Sequence, residues 1–353
     1  MSDGMDPAIR AWVEAEVGPF DEPSPIGSGA SRQIWRIEAA DGPVVARVDT
    51  GTGPVAGTAL DLAREAVVYG ALRGRGLPVP HLRAVEPFGR ALLMDLAEGD
   101  DALAAVTDGA DRAEVAGDYL RWLGRLHLLD PTELDLPGWT LPVEAADHAR
   151  LDLGLWSTIA EERAIGWMAP ATPFALGWLR DHAPTGPTRT SLCHGDAGPG
   201  NFLFRARSVP ALRDWEFAHL GDPHDDLAWV AVRNHLLGRP MALAEVYRAW
   251  QDVTGDVIDA RRLEYYRVLV LVRMAISCDA TLAWAGGEEH DAIRTQSLLR
   301  PWLAVATTTA LALAGCDDAG LASVRGAADE ALAASPHAAL LAMIPPLEPL
   351  EGP

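Results

Sequence analysis

At 353 residues the chain is longer than one average domain and has room for two structural units. Its hydrophobic fraction of 49% can fill sizeable cores, yet no stretch approaches the roughly 20 uninterrupted apolar residues of a membrane span. A formal charge of −21 argues against a nucleic-acid backbone or an anionic membrane as the main partner, and composition leaves the oligomeric state open.

Residues 1–20 carry Asp3, Asp6, Glu14 and Glu16 and have neither the basic start nor the apolar run of an export signal, so a cytoplasmic location is expected. Cys193, Cys278 and Cys316 are far apart and form no C-x-x-C pair. They read as small core residues, not as a disulfide framework or a zinc site. No lysine occurs, so all 29 basic residues are arginine. Any role usually given to lysine must fall to arginine here.

Residues 24–49 alternate in strand fashion and are punctuated by Gly27-Ser28-Gly29 and Asp41-Gly42, the marks of a glycine loop and a β-hairpin. Helical periodicity follows over 60–72, then a Pro78-Val79-Pro80 break, then two short strand-like runs at 82–85 and 91–96. The economical reading is a five-stranded lobe with one long helix. From about Asp100 the pattern turns mainly helical, with amphipathic runs over 112–129, 143–166, 227–237, 262–285 and 295–314. The Ala-rich stretch 317–343 reads as terminal packing helices, and the Pro-rich end 345–353 as a frayed terminus.

Within the helical part, residues 190–213 are an exception, because short apolar β-type runs flank a loop of Gly, Asp, Pro and Asn. The loop reads His194-Gly195-Asp196-Ala197-Gly198-Pro199-Gly200-Asn201, with spacing H-x-D-x-x-x-x-N. Asp214-Trp215-Glu216 starts thirteen residues after Asn201. Phosphoryl transfer needs a carboxylate at the attacking hydroxyl and oxygen ligands for magnesium on the phosphates. Asp196, Asn201 and Asp214 supply that set. His194 reads as a brace for this loop in preference to a proton carrier, and Asp226 as a buried acceptor for loop amides in preference to a metal ligand.

These motifs resemble the aminoglycoside-phosphotransferase-like branch of the protein-kinase fold. The string from Asp214 to Trp229 is similar to the D-W-E-x-A-x-x-G-D-P-x-x-D-L-A-W pattern of the subgroup related to phosphotransferase domains fused to some acyl-CoA dehydrogenases. The segment from Leu123 to Asp130 is similar to the family's L-x-x-L-H-x-x-D. The resemblance implies an α+β, two-lobed fold, with a nucleotide-binding lobe over 1–94, a hinge at 95–99 and a helical lobe over 100–353. It implies a small-molecule kinase that uses ATP or GTP with Mg2+ to phosphorylate a hydroxyl. Asp196 becomes the catalytic base, and Asn201 and Asp214 the metal ligands.

The same resemblance places nucleotide contacts at Gly27, Ser28, Gly29 and Ser31, at Arg47 with Glu65 as its ion-pair partner, and at Asp95 and Ala97. A plain turn at Gly27, a surface arginine at 47 and a simple linker at 95–99 are the structural alternatives. Arg47 stands where a typical kinase has its phosphate-pairing lysine. That departure keeps a pseudokinase open as the alternative function. A dinucleotide-binding dehydrogenase built on the Gly27 loop lacks the third glycine. A metal-dependent hydrolase would have to recruit His219, Asp222 and His224. The acceptor is expected between residues 130 and 180 and at the Asp222 to Asp226 loop, either as a polycation or as a hydroxylated metabolite. Trp139, Trp156, Trp167 and Trp178 then either wall the acceptor pocket or pack in the core.

Overall fold

The computed structural model describes residues 4–28, 32–51, 56–162, 170–284 and 291–350. An antiparallel sheet of order β1-β2-β3-β5-β4 forms the small lobe, from β1 (Ser24–Ser28), β2 (Arg32–Ala39), β3 (Gly42–Asp49), β4 (Leu82–Val85) and β5 (Ala91–Asp95). Period-two alternation on β3 gives the sheet two different faces. Val44, Ala46 and Val48 pack with Trp35, Ile37 and Leu93 on one side. Val45 and Arg47 line a cleft on the other.

Among the described residues two helices serve this lobe, where the sequence pattern gave one. Helix α1 (Pro7–Val17) starts with Asp6 accepting from Ala8 N and Ile9 N and has Pro at its first turn. Ile9 and Val13 close the outer face of the sheet. Helix α2 (Leu62–Leu72) is capped by Asp61, which accepts from Arg64 N. Its buried residues include Glu65.

The larger lobe is helical: α3 (Gly109–His127), α4 (Asp147–Glu162), α5 (Ala171–Asp181), α6 (His224–Leu236), α7 (Leu243–Thr254), α8 (Ala260–Trp284), α9 (Asp291–Leu313), α10 (Gly320–Ala333) and α11 (Ala338–Leu341). Two short ribbons interrupt it, one pairing β6 (Ser191–Cys193) with β9 (His219–Gly221), the other β7 (Phe202–Arg205) with β8 (Ser208–Leu212). One continuous core runs from Leu62 and Val68 on α2 through Tyr119, Trp156 and Trp250 to Leu311. The three cysteines are buried and free.

The described part of the Pro-rich end, residues 345–350, is docked and not frayed, while 351–353 lie outside the described residues. His235 Nε2 lies 2.8 Å from Pro345 O, Arg267 donates to Glu348 O at 2.7 Å, and Leu350 N donates to Glu264 at 2.8 Å. A chain end satisfied by buried arginine and histidine has little reason to detach. Among the described residues no helix is long and apolar enough to cross a membrane.

Candidate active site

The H-x-D loop leaves β6 and returns in β7. Its shape is fixed by Asp226, near the start of α6, whose carboxylate accepts from His194 N at 2.7 Å and Gly195 N at 2.8 Å. His127 holds the same carboxylate through Nε2 at 2.9 Å, while Trp250 Nε1 donates to His127 Nδ1 at 3.0 Å. The indole has only a donor to offer, so His127 carries its proton on Nε2. Neither nitrogen is left for a metal, although His127, Cys193 and Asp226 lie close enough to suggest one.

His194 is engaged in the same way. Its Nε2 meets Arg213 O at 2.9 Å and must donate there, and its Nδ1 lies 3.4 Å from Asp196 N. It braces the loop, as its place in the motif led us to expect. Gly195 has φ +81°, and a Cβ at this position would lie 1.9 Å from Phe217 O. Only glycine fits here.

Asp196 is clamped on both oxygens. Arg233 NH1 reaches Oδ1 at 2.7 Å and Oδ2 at 2.8 Å, and Asn201 Nδ2 reaches Oδ2 at 2.6 Å. Burial raises the Asp196 pKa above the usual carboxylate range against the opposing pull of Arg233, with the nearby Asp214 charge adding to the rise. Sequence reading missed Arg233, yet a signal was present. It lies seven residues after Asp226 on α6, two turns on and on the same face.

Asp214 sits in the left-handed region, φ 70°, a conformation rare for a residue with a side chain. It pairs with Arg47 NH2 at 2.9 Å, and the same nitrogen lies 3.3 Å from Glu65. Burial works against the charge of Arg47, but Glu65 and Asp214 outweigh it and hold its pKa well above the ordinary value. Asp214 is itself held below the usual carboxylate range, because Arg47 overcomes the burial that would raise it. Arg47 is therefore a buried member of the site and not a surface arginine.

Glu216, two residues on, was not singled out from the sequence. Burial and the Asp214 and Glu65 carboxylates push its pKa up to about 8 against the pull of Arg32. Asp214, Glu216 and the Asn201 amide offer oxygen donors of the kind that suits a hard cation such as magnesium.

Beside this cluster, Ile26, Ile34, Val45, Met94 and Ala211 enclose an apolar slot of about 80 Å³ that reaches Arg47. Asp95, Leu96 and Ala97 line its edge. An apolar wall ending at a guanidinium has the chemistry that a nucleotide base with phosphates attached would meet. Gly27 and Ser28 belong to β1 at this edge of the sheet. Gly29 and Ser31 lie outside the described residues, as does Trp167.

The acidic loop after β9 does not face the cleft. Asp222 is buried against Arg262 and His224. Asp225 pairs with Arg273 at 2.7 Å and with His219 at 2.7 Å, and Asp152 also pairs with Arg273. These bonds withdraw Asp222, Asp225 and Asp226 from any cationic acceptor. They also occupy His219 and His224, which a metal hydrolase would need. Trp156 is buried with Phe217 edge-on at 5.2 Å, and Trp178 stacks on His182. Trp139 meets Arg64 at 3.7 Å.

A small antiparallel sheet over a helical lobe, with an H-x-D loop at their junction, defines the kinase-like fold of small-molecule phosphotransferases. The family model described as the phosphotransferase enzyme family (APH) matches residues 22–265, and the chain belongs to that family. Mouse acyl-CoA dehydrogenase family member 10 is 28% identical over 262 residues, covering 69% of this chain. The match spans only 23% of the mouse protein's length. An aminoglycoside-phosphotransferase-like protein of Ralstonia eutropha superposes with a TM-score of 0.62 at 21% identity, over 84% of this chain and 95% of its own. Macrolide 2'-phosphotransferase type I gives 0.58 at 19% identity, over 83% and 97%. An aminoglycoside phosphotransferase in ternary complex with AMP-PNP and hygromycin B gives 0.60 at 15% identity, over 89% and 100%.

Proposed function

We propose that this chain transfers the γ-phosphoryl group of ATP or GTP to a hydroxyl of a small molecule. What carries the reading is the meeting of Asp196, Asn201 and Asp214 beside the Arg47–Glu65 pair at the end of an apolar slot. In this reading the nucleotide-binding lobe is 1–94, the hinge 95–99 and the helical lobe 100–353. The base lies in the slot against Asp95 and Ala97, and β1 covers the phosphates.

Asp196 receives the hydroxyl proton. Its elevated pKa makes it a better base than an exposed aspartate, and Arg233 fixes its direction. Asp214 and Asn201, with Glu216 beside them, would hold magnesium, which neutralises phosphate charge when bound. Arg47 offers a planar fork to phosphate oxygens while Glu65 orients it. Little covalent chemistry is asked of the protein, so positioning and electrostatics do most of the catalysis.

Asp196→Asn should keep Mg-nucleotide affinity and abolish transfer, because the lost carboxylate acts on the acceptor. Asp214→Ala should weaken Mg-nucleotide binding itself. Titration of both variants with a fluorescent nucleotide in magnesium separates the roles. Equal loss of binding in both would refute the assignment, and full binding with no transfer by wild type to any hydroxyl compound would favour a pseudokinase.

A further inference from the structure

We propose that Arg64, Trp139 and Phe217 form an acceptor subsite for an anionic group, so that the substrate is a hydroxylated carboxylate or phosphate ester. This rests on the phosphotransferase reading above and narrows it.

Arg64 packs on Trp139 and reaches the residue after Phe217, whose carbonyl lies at the catalytic loop. Arg64, on α2, donates to Ala218 O at 3.1 Å. The preceding carbonyl, Phe217 O, is the atom against which Gly195 packs, next to Asp196. The Arg64 guanidinium lies over the Trp139 ring, with Cζ 3.7 Å from the ring centroid, and Phe217 is half-buried with Trp156 behind it. Aromatic surface and a cation thus sit side by side, one peptide from the residue that precedes the base.

The charges on this side are unequally committed. Asp152, Asp222, Asp225 and Asp226 are buried and satisfied by Arg273, His219, Arg262, His224, His127 and loop amides. Arg64 is different. Among the described residues no carboxylate lies within ion-pair distance of it, and its Nε is buried without a hydrogen-bond partner. Burial lowers its pKa, with only distant help from Asp152 and Asp61. A buried donor without an acceptor is unfavourable, and an oxyanion is the partner that suits a guanidinium best. Stacking on Trp139 holds the fork in one plane and presents its edge. A polycationic acceptor finds spent carboxylates here and an unneutralised arginine.

The test uses the full chain with magnesium and ATP or GTP, and reads nucleoside diphosphate release. Hydroxy acids, hydroxyacyl thioesters of coenzyme A and sugar phosphates are compared with neutral sugars, a macrolide and an aminoglycoside. Anionic acceptors should be preferred, and the hydroxy acid and sugar phosphate arms tell carboxylate from phosphate. Arg64→Met keeps the aliphatic stem on Trp139 but removes the charge. It should raise KM for the best anionic acceptor at least about tenfold with kcat nearly unchanged. Arg64→Lys should fall between. A merely structural clasp would instead weaken nucleotide binding through neighbouring Glu65 and leave acceptor KM alone. That result would overturn the proposal, as would preference for neutral or cationic acceptors, or no transfer to any anionic hydroxyl compound by a chain that binds Mg-nucleotide. Absence of Mg-nucleotide binding would instead refute the phosphotransferase reading itself.

Discussion

Arg47 carries the most unusual residue choice in the site, a guanidinium buried between two carboxylates in the position where the fold places lysine. Charge-assisted hydrogen bonds contribute roughly 1.5 to 3 kcal/mol each. Arg47→Ala should therefore lower kcat/KM about 10- to 150-fold, since about 1.4 kcal/mol is tenfold. Arg47→Lys keeps the charge but loses the fork, and Glu65→Gln loosens the fork without deleting it, so both should fall between. Steady-state kinetics with one acceptor, on variants shown to be folded, checks the order. Wild-type rates in folded Arg47→Ala would mean another group holds the phosphates. At this scale the sequence was informative where chemistry imposes spacing, which is why Asp196, Asn201, Asp214, Arg47 and Glu65 could be named and the structure brings them together. Arg233, Arg64 and Glu216 escaped because their importance arises from packing, when α6, α2 and the turn after Asp214 converge on one loop.

Elements were legible where their pattern met only one environment. The strands of the small sheet stand close to where alternation put them, and α3, α6 and α8 lie within three residues of their periodic runs. Helix α1 was missed although Asp6 and Pro7 are a start signal, because only the sheet it covers makes its Ile9 and Val13 face visible. Helix α7 was missed because its buried stripe, Val246, Tyr247 and Trp250, is short and interrupted by charge. The start of α6 offers a test of element-level electrostatics. Asp222 accepts from His224 N and His224 Nδ1 and pairs with Arg262, and its pKa falls from 3.8 to about 2. A depressed carboxylate contributes stability above its unfolded pKa, and that contribution is lost as pH falls through the folded one. The window is therefore from just below pH 4 toward 2, with at most roughly 2 kcal/mol at stake. The stability gap between wild type and Asp222→Asn should narrow through that window in acid unfolding monitored by circular dichroism. A gap that stays constant there would show that Asp222 acts through packing alone.

Across the whole molecule, the helical lobe is tied together by charges that local sequence could not pair. Arg273 on α8 binds Asp152 on α4 and Asp225 on α6, and His219 on β9 completes the set. Partners 121 and 48 residues away from Arg273 leave no mark on local periodicity. An acidic loop therefore looked like a cation-binding surface when it is a structural knot. Replacing a buried pair by apolar groups can be neutral, whereas removing one member leaves an uncompensated charge and costs about 3 to 5 kcal/mol. Arg273→Met should be destabilised by that order near neutral pH. The sign with pH also follows. Arg273 opposes the raised pKa of His219, so its removal strengthens what the protonated imidazole contributes beside Asp152 and Asp225, a contribution that is lost as pH increases. His219, already raised by Asp152 and Asp225 against burial, contributes fully below pH 6.5 and progressively less above it. The gap between wild type and Arg273→Met should thus widen from pH 5 to pH 8 in urea unfolding. Adding Asp152→Asn and Asp225→Asn to Arg273→Met should recover part of the loss and flatten the pH dependence, because the orphaned charges are gone. A loss that is unchanged by pH and by the added substitutions would assign the cost to the shape of Arg273 and not to its charge.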